Sequence, residues 1–333
     1  MPIPFILAGA AIALGGYGVK KGVDAKDDFD SAERWNKKAQ NIYDEAQKKL
    51  EDKKESTNKS LEELGYLKAS IYNETLKDFI DIFKEIKNID FSDNLALGTL
   101  KNLDEQDILN IENTVIEMQE VLGGGVAALG SGAAAGLGAL GGVGMLASAS
   151  TGTAIASLSG AAATNATLAW LGGGALSAGG FGMAGGMAVL GGIVAGPVLA
   201  VGGIMMASKA EEAKQTAYAN HDKAKAAVEQ MDSASVVLDG IDKRTIEFKD
   251  VLQPLNKVFE YYIEDLEDII DVSTDYRTYS QKDKETVMLT ASIAKTIKNV
   301  CDAPIIDEDG DVTRKSKRVL KKASRLMEEI NKV

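Results

Sequence analysis

At 333 residues, with 37 basic against 49 acidic side chains, the chain carries a formal net charge of −12. So acidic a surface disfavours nucleic acid, whose binding rests on cations set against phosphate, and no nucleic-acid partner is expected. A single cysteine, Cys301, excludes an internal disulfide and fits a reducing compartment, while five prolines and long runs of three-and-four periodicity predict an all-α fold.

Residues 1–19 (MPIPFILAGAAIALGGYGV) form a short apolar segment with Lys20 and Lys21 directly after it. A secretory signal begins with positive charge, and this segment does not. The Lys pair instead favours keeping the downstream chain in the cytoplasm. Two readings are open: a short anchor or interfacial helix, or a segment packed on the main apolar block.

Residues 20–120 read as N-terminal coiled-coil helices. Between 24 and 88, apolar or small residues recur at Trp35, Ala39, Ile42, Ala46, Leu50, Thr57, Leu61, Leu64, Ile71, Thr75, Phe79, Ile82 and Ile86. Steps of three and four mark a seam on one helix face. The seam weakens across Lys53–Ser60 (KKESTNKS), where either one helix continues with a solvated face or the chain folds back as a hairpin. Residues 89–104 read as a connector, and Leu103 to Glu120 as a short helix with Asp104 at its N-terminus.

Residues 121–208 are the feature around which the chain is arranged. These 88 residues contain no Asp, Glu, Lys, Arg or His, and Gly and Ala make up 47 of them. A membrane-spanning helix needs about 20 largely apolar residues, so the block has room for as many as four short spans. Breaks at 148–153, 164–167, 172–174, 191–192 and 196–197 divide it into runs near 122–147, 153–171, 174–190 and 192–207, and an even number of spans would return the chain to its starting side. Gly and Ala bury little apolar area, which makes insertion marginal. Small residues four apart nevertheless let helix backbones approach closely within lipid. The candidate packing positions are Gly132, Gly136, Gly138, Gly142, Gly182, Gly186, Gly192, Gly196 and Ala200. The competing expectation is a permanently soluble Gly/Ala-rich helical core.

A second long coiled-coil helix is predicted over 209–272. Its seam runs through Ala210, Ala213, Ala217, Ala224, Val228, Met231, Leu238, Ile241, Thr245, Phe248, Leu252, Leu255, Phe259, Tyr262, Leu266 and Ile269, small at first and bulky later. Pro254 is expected to kink or interrupt it. Residues 273–333 complete the chain with a connector, an amphipathic helix over 283–300, a turn at 304–312 and a basic amphipathic helix from 314. In that last helix Arg314, Lys315, Lys317, Arg318, Lys321, Lys322 and Arg325 stand beside an apolar stripe of Val319, Leu320, Ala323, Leu326, Met327 and Ile330. Either the stripe packs on the acidic helices and the cations pair there, or the helix lies on an anionic lipid surface or an acidic partner.

No catalytic, cofactor-binding or metal-ligating residue emerges, and an enzyme is not expected. The GxGxxG pattern at Gly136, Gly138 and Gly141, and again at Gly180, Gly182 and Gly185, lies between no strand and helix and is as frequent as chance in so glycine-rich a block. The only histidine, His221, reads as a helix-surface residue. Asp307, Glu308, Asp309 and Asp311 fail the EF-hand spacing, since Ile305 and Ser316 fall on ligand positions.

The order of coiled coil, long Gly/Ala-rich block and second coiled coil resembles that of the bacterial α-helical pore-forming toxins and of the apolipoprotein-L-like, glycine-zipper membrane proteins. The resemblance implies a soluble or peripheral form that inserts into a lipid membrane and forms homo-oligomers; no family residue carries over. The expected activity is permeabilising or remodelling a membrane. Its rival is a membrane-anchored scaffold that binds a protein partner through its coiled coils and makes no hole.

Overall fold

The structure is a computed structural model that describes residues 19–91, 103–122, 134–139, 141, 210–307 and 311–332. The protein is all-α, and the described residues include two isolated β-bridges and no strand. In chain order they form α1 (Val19–Asn73), α2 (Thr75–Phe83), α3 (Glu105–Val121), a helical segment at 134–139, α4 (Ala210–Val272), a 3-10 turn (Tyr276–Thr278), α5 (Gln281–Cys301) and α6 (Arg314–Ile330). The expected N-terminal anchor at 1–19 lies, but for Val19, outside the described residues, as do the runs expected near 153–171, 174–190 and 192–207. Among the described residues no helix is long and apolar enough to cross a membrane.

One local expectation is corrected, and two that left alternatives open are narrowed. The hairpin at Lys53–Ser60 does not form, because α1 continues through it to Asn73. No Gly or Pro interrupts that stretch, and Thr57, 3 % exposed, keeps one small residue on the seam. The first long helix does not reach residue 88; it breaks at Glu74, which leaves helical geometry (φ −115°, ψ −89°), resumes as α2 and ends at Phe83. Pro254 does not interrupt α4, which runs on to Val272. Pro254 removes the hydrogen bond to the carbonyl of Asp250, and both residues are exposed, so the lost bond lies on the solvent side of the helix, where it costs least.

The described residues fall into two compact units, one drawn from Met1–Glu55 and Gly191–Leu238, the other from Ser56–Leu190 and Asp239–Val333. Within the first, α1 and α4 pack through small side chains: Ala39, Tyr43, Ala46 and Leu50 meet Ala224, Ala227, Met231, Ala234 and Leu238. Alanine faces allow close helix approach but bury little area per contact. Polar pairs set the register, with Lys214 2.8 Å from Asp28 and the Asn220 amide donating to Asn36 at 3.1 Å. The partner numbers rise together, so the two helices run parallel.

The second unit holds the bulkier core. Leu61, Leu64, Ile71, Leu76 and Phe79 pack with Phe248, Leu252, Leu255 and Phe259, joined by α3, α5 and α6. Here too the pair is parallel: Lys249 meets Glu63 at 2.8 Å, Thr75 donates to Asn256 at 2.8 Å, and the Phe79 and Phe259 rings lie 5.6 Å apart. Parallel helices cannot be joined by a tight turn and need a crossover connection, which residues 84–209 supply.

Helix starts in this unit follow their capping chemistry. The Asp104 carboxylate accepts from Asp107 N–H while Asp107 accepts from Asp104 N–H, fixing the start of α3 where the sequence places it. Ser280 and Asp283 repeat the arrangement for α5. Lys295 reaches back to Asp107 at 2.6 Å and Lys84 meets Glu112 at 2.5 Å, tying α3 to its neighbours.

Candidate functional site

The apolar block is the candidate functional element, and the structure describes how its first part is held. Gly65 of α1 lies so close to the segment at 134–139 that a Cβ added there would stand 1.7 Å from the Ala134 carbonyl oxygen. Reciprocally, a Cβ on Gly138 would stand 2.0 Å from the Leu61 oxygen. Both contacts are backbone to backbone, so no side chain can yield, and only glycine fits at either position. Ala134, Leu137 and Ala139 are buried in the core of this unit. Of the nine candidate packing positions, Gly136 and Gly138 are described, both buried, and Gly138 packs against α1 of the same chain. Gly132, Gly142, Gly182, Gly186, Gly192, Gly196 and Ala200 lie outside the described residues.

A buried lysine closes this contact. Lys68 is 0 % exposed, and its ammonium donates to the carbonyls of Leu137 at 3.2 Å and Gly138 at 3.1 Å. Those carbonyls sit at the C-terminal end of the helical segment, where backbone acceptors lack intrahelical partners and the helix dipole favours a cation. The ammonium also lies 5.2 Å from the Phe248 ring centroid. Burial draws its pKa down to about 8, opposed by the Asp302 carboxylate.

The end of α5 completes the mooring. Ile305 N–H donates to the Ala139 carbonyl at 2.7 Å, and Gly141, at φ +77°, passes so close to the Asp302 carbonyl that a Cβ would come within 2.5 Å. The Asp302 carboxylate accepts from the Tyr72 hydroxyl and from Lys298. Burial, and then Asp302, raise the Tyr72 pKa well above its usual value. Burial pushes the Cys301 thiol up to about 12, so it stays protonated and unreactive at neutral pH. Lys68 holds the backbone segment directly, while the contacts of Tyr72 and Lys298 with Asp302 fix the end of α5 against which it lies.

Lys68, Tyr72, Gly65 and Asp302 are absent from the sequence-level candidates. The signal for Lys68 was nonetheless present, since it falls on the seam between Leu64 and Ile71 at steps of four and three. A lysine there either breaks the seam or is buried with partners, and the second holds.

His221 is not a surface residue, which corrects the sequence reading: it is 4 % exposed, with its ring 4.7 Å from Trp35 in an edge-on contact. Trp35 in turn packs on Tyr218 at 5.0 Å and has Lys38 over its face. The Nε2 of His221 has no hydrogen-bond partner among the described residues. Burial first, then Lys225 and Lys38, hold the imidazole below its usual pKa against the opposing pull of Asp222.

The basic helix α6 takes neither sequence reading whole. Its apolar stripe is occupied, since Leu320, Ala323, Leu326 and Ile330 are buried in the core against α5. The stripe is therefore closed to lipid, which corrects the picture of an amphipathic helix lying in an interface. The cations do not pair with the acidic helices either. All seven are exposed, and none forms an ion pair with a described residue.

The acidic turn before α6 is closed by its own groups, Asp307 N–H donating to the Asp311 carbonyl at 3.0 Å and Asp311 N–H to the Asp307 carboxylate at 2.9 Å. Comparison with protein-family models, with curated proteins and with solved structures finds no match to this chain.

Proposed function

We propose that the protein acts on a lipid membrane, inserting part of its uncharged block to permeabilise or remodel the bilayer, with Gly/Ala helix faces packing between copies in a homo-oligomer. The observation that carries this reading is the absence of any ionisable side chain from Val121 to Ser208. The contacts of Gly65, Lys68 and Ile305 with the described residues of 134–141 support assigning the inserting portion to 142–208. A segment of this length accommodates two spans at about 20 residues each, and an even number returns the chain to the side on which α4 pairs with α1. Its Gly/Ala composition puts it near balance between water and lipid, and a segment near balance can change state, whereas a plain anchor gains more from Leu-rich spans.

Dye release from liposomes by the purified full chain tests this. Release by the wild type, lost on Gly186→Leu and Gly196→Leu while vesicle binding persists, is the expected outcome. Stable association with no release would leave the anchored scaffold in its place. A chain that associates with no vesicle would overturn both.

A further inference from the structure

The outer face of α6 pairs with no described residue, and its composition is costly to the helix. Projected at 100° per residue, Arg314, Lys315, Lys317, Arg318, Lys321, Lys322 and Arg325 occupy an arc of about 160°, directly opposite the buried stripe of Leu320, Ala323, Leu326 and Ile330. Three of these cations lie in the first turn, where the helix dipole already presents positive charge, and no acid accompanies them. The same chain places Glu105 and Asp107 in the first turn of α3 and Asp283 in that of α5, the stabilising choice. On α6 the stabilising choice is reversed, and the cations neither pair with a described residue nor pack.

The geometry points to this face as an electrostatic docking surface for the anionic headgroups of a lipid bilayer, bound without insertion of the helix. Three observations favour a bilayer over other polyanions. The arc is convex and spans about 17 Å along the axis, which suits a flat surface rather than an extended peptide lying in a groove. The exposed cation arc carries no aromatic side chain on which bases would stack. Without these seven cations the chain is more acidic still than its net −12, so its overall charge opposes an anionic surface and this face supplies a concentrated local attraction. The choice of lipid rests on the proposed membrane function, but the docking itself uses a different part of the chain from the inserting block.

Flotation of the full chain with phosphatidylcholine vesicles, with and without phosphatidylserine, tests the assignment. Wild type should prefer the serine-containing vesicles and lose that preference at high salt. Replacing Arg318, Lys321, Lys322 and Arg325 with Gln should lower partitioning onto the anionic vesicles by roughly 100-fold or more at low salt, with binding to neutral vesicles unchanged. Because these side chains are exposed, the helical circular dichroism and melting should match the wild type. Leu320→Ala serves as the packing control, expected to lower thermal stability and keep the anionic preference. Equal binding to both vesicle types, or a four-Gln variant that binds as wild type does, would overturn the docking surface. If that happens while dye is still released, insertion stands and docking falls; with anionic binding and no release, docking stands and insertion falls.

Discussion

Lys68 is the residue on which the mooring turns, and its titration makes a signed prediction. Its pKa falls from an unfolded value near 10.5 to about 8 in the folded chain. Between those values the unfolded chain holds a proton that the folded chain has released, so this group favours folding more as pH rises through the window. Below about pH 8 both states are protonated and the cost of the buried charge is felt in full. In urea unfolding, the stability of the wild type relative to Lys68→Met should therefore increase by about 3 kcal/mol between pH 8 and pH 10.5. Tyr72 and Cys301 also titrate at high pH, but they are common to both proteins, so the difference isolates the lysine. A difference that stays flat across the window would mean that Lys68 is not buried as a cation. His221 has the same sign at a lower pH: with its folded pKa depressed, its contribution to stability is lost as pH falls below the ordinary histidine range.

At the scale of elements, the meeting of α1 with the 134–139 segment depends on two glycines for which no substitute fits. Gly65→Leu or Gly138→Leu should each displace the segment and expose Lys68, seen as faster hydrogen exchange at 134–141 and a lower melting temperature; unchanged exchange in both variants would show that the close approach is dispensable. The helices themselves were largely legible in the sequence. Asp104 stands at the start of α3 as expected, α5 begins two residues before the expected 283, and the seam positions Ala39, Leu50, Leu61, Ile71, Phe79, Met231, Phe248 and Phe259 are all buried. The break at Glu74 was not legible, because the periodicity of Ile71, Thr75 and Phe79 runs through it undisturbed. The seam position of Lys68 was legible but its burial was not, because a long charged side chain on a seam looks solvated until backbone acceptors from residues about 70 positions away arrive beside it. Composition made α6 amphipathic in both of its readings. Only the packing of its stripe separates the face that builds the core from the face that is left over.

For the molecule as a whole, the parallel pairing of α1 with α4 has a consequence in the order of synthesis. Asp28 waits for Lys214 and Glu63 for Lys249, each across 186 positions in the chain. At translation rates of about 5–20 residues per second, α1 spends roughly 10–40 s outside the ribosome before its partner is made. An antiparallel hairpin would close within a second or two at the turn, but here the entire uncharged block is synthesised during the wait. Pairing at this separation also closes slowly once the chain is complete. The block therefore meets its surroundings before α1 is paired, and a bilayer present during translation competes with the finished fold rather than acting after it. Nascent chains arrested after residue 209 should leave α1 open to protease, while chains released at full length should protect it, and adding liposomes during rather than after translation should raise the fraction of protein that stays with the membrane.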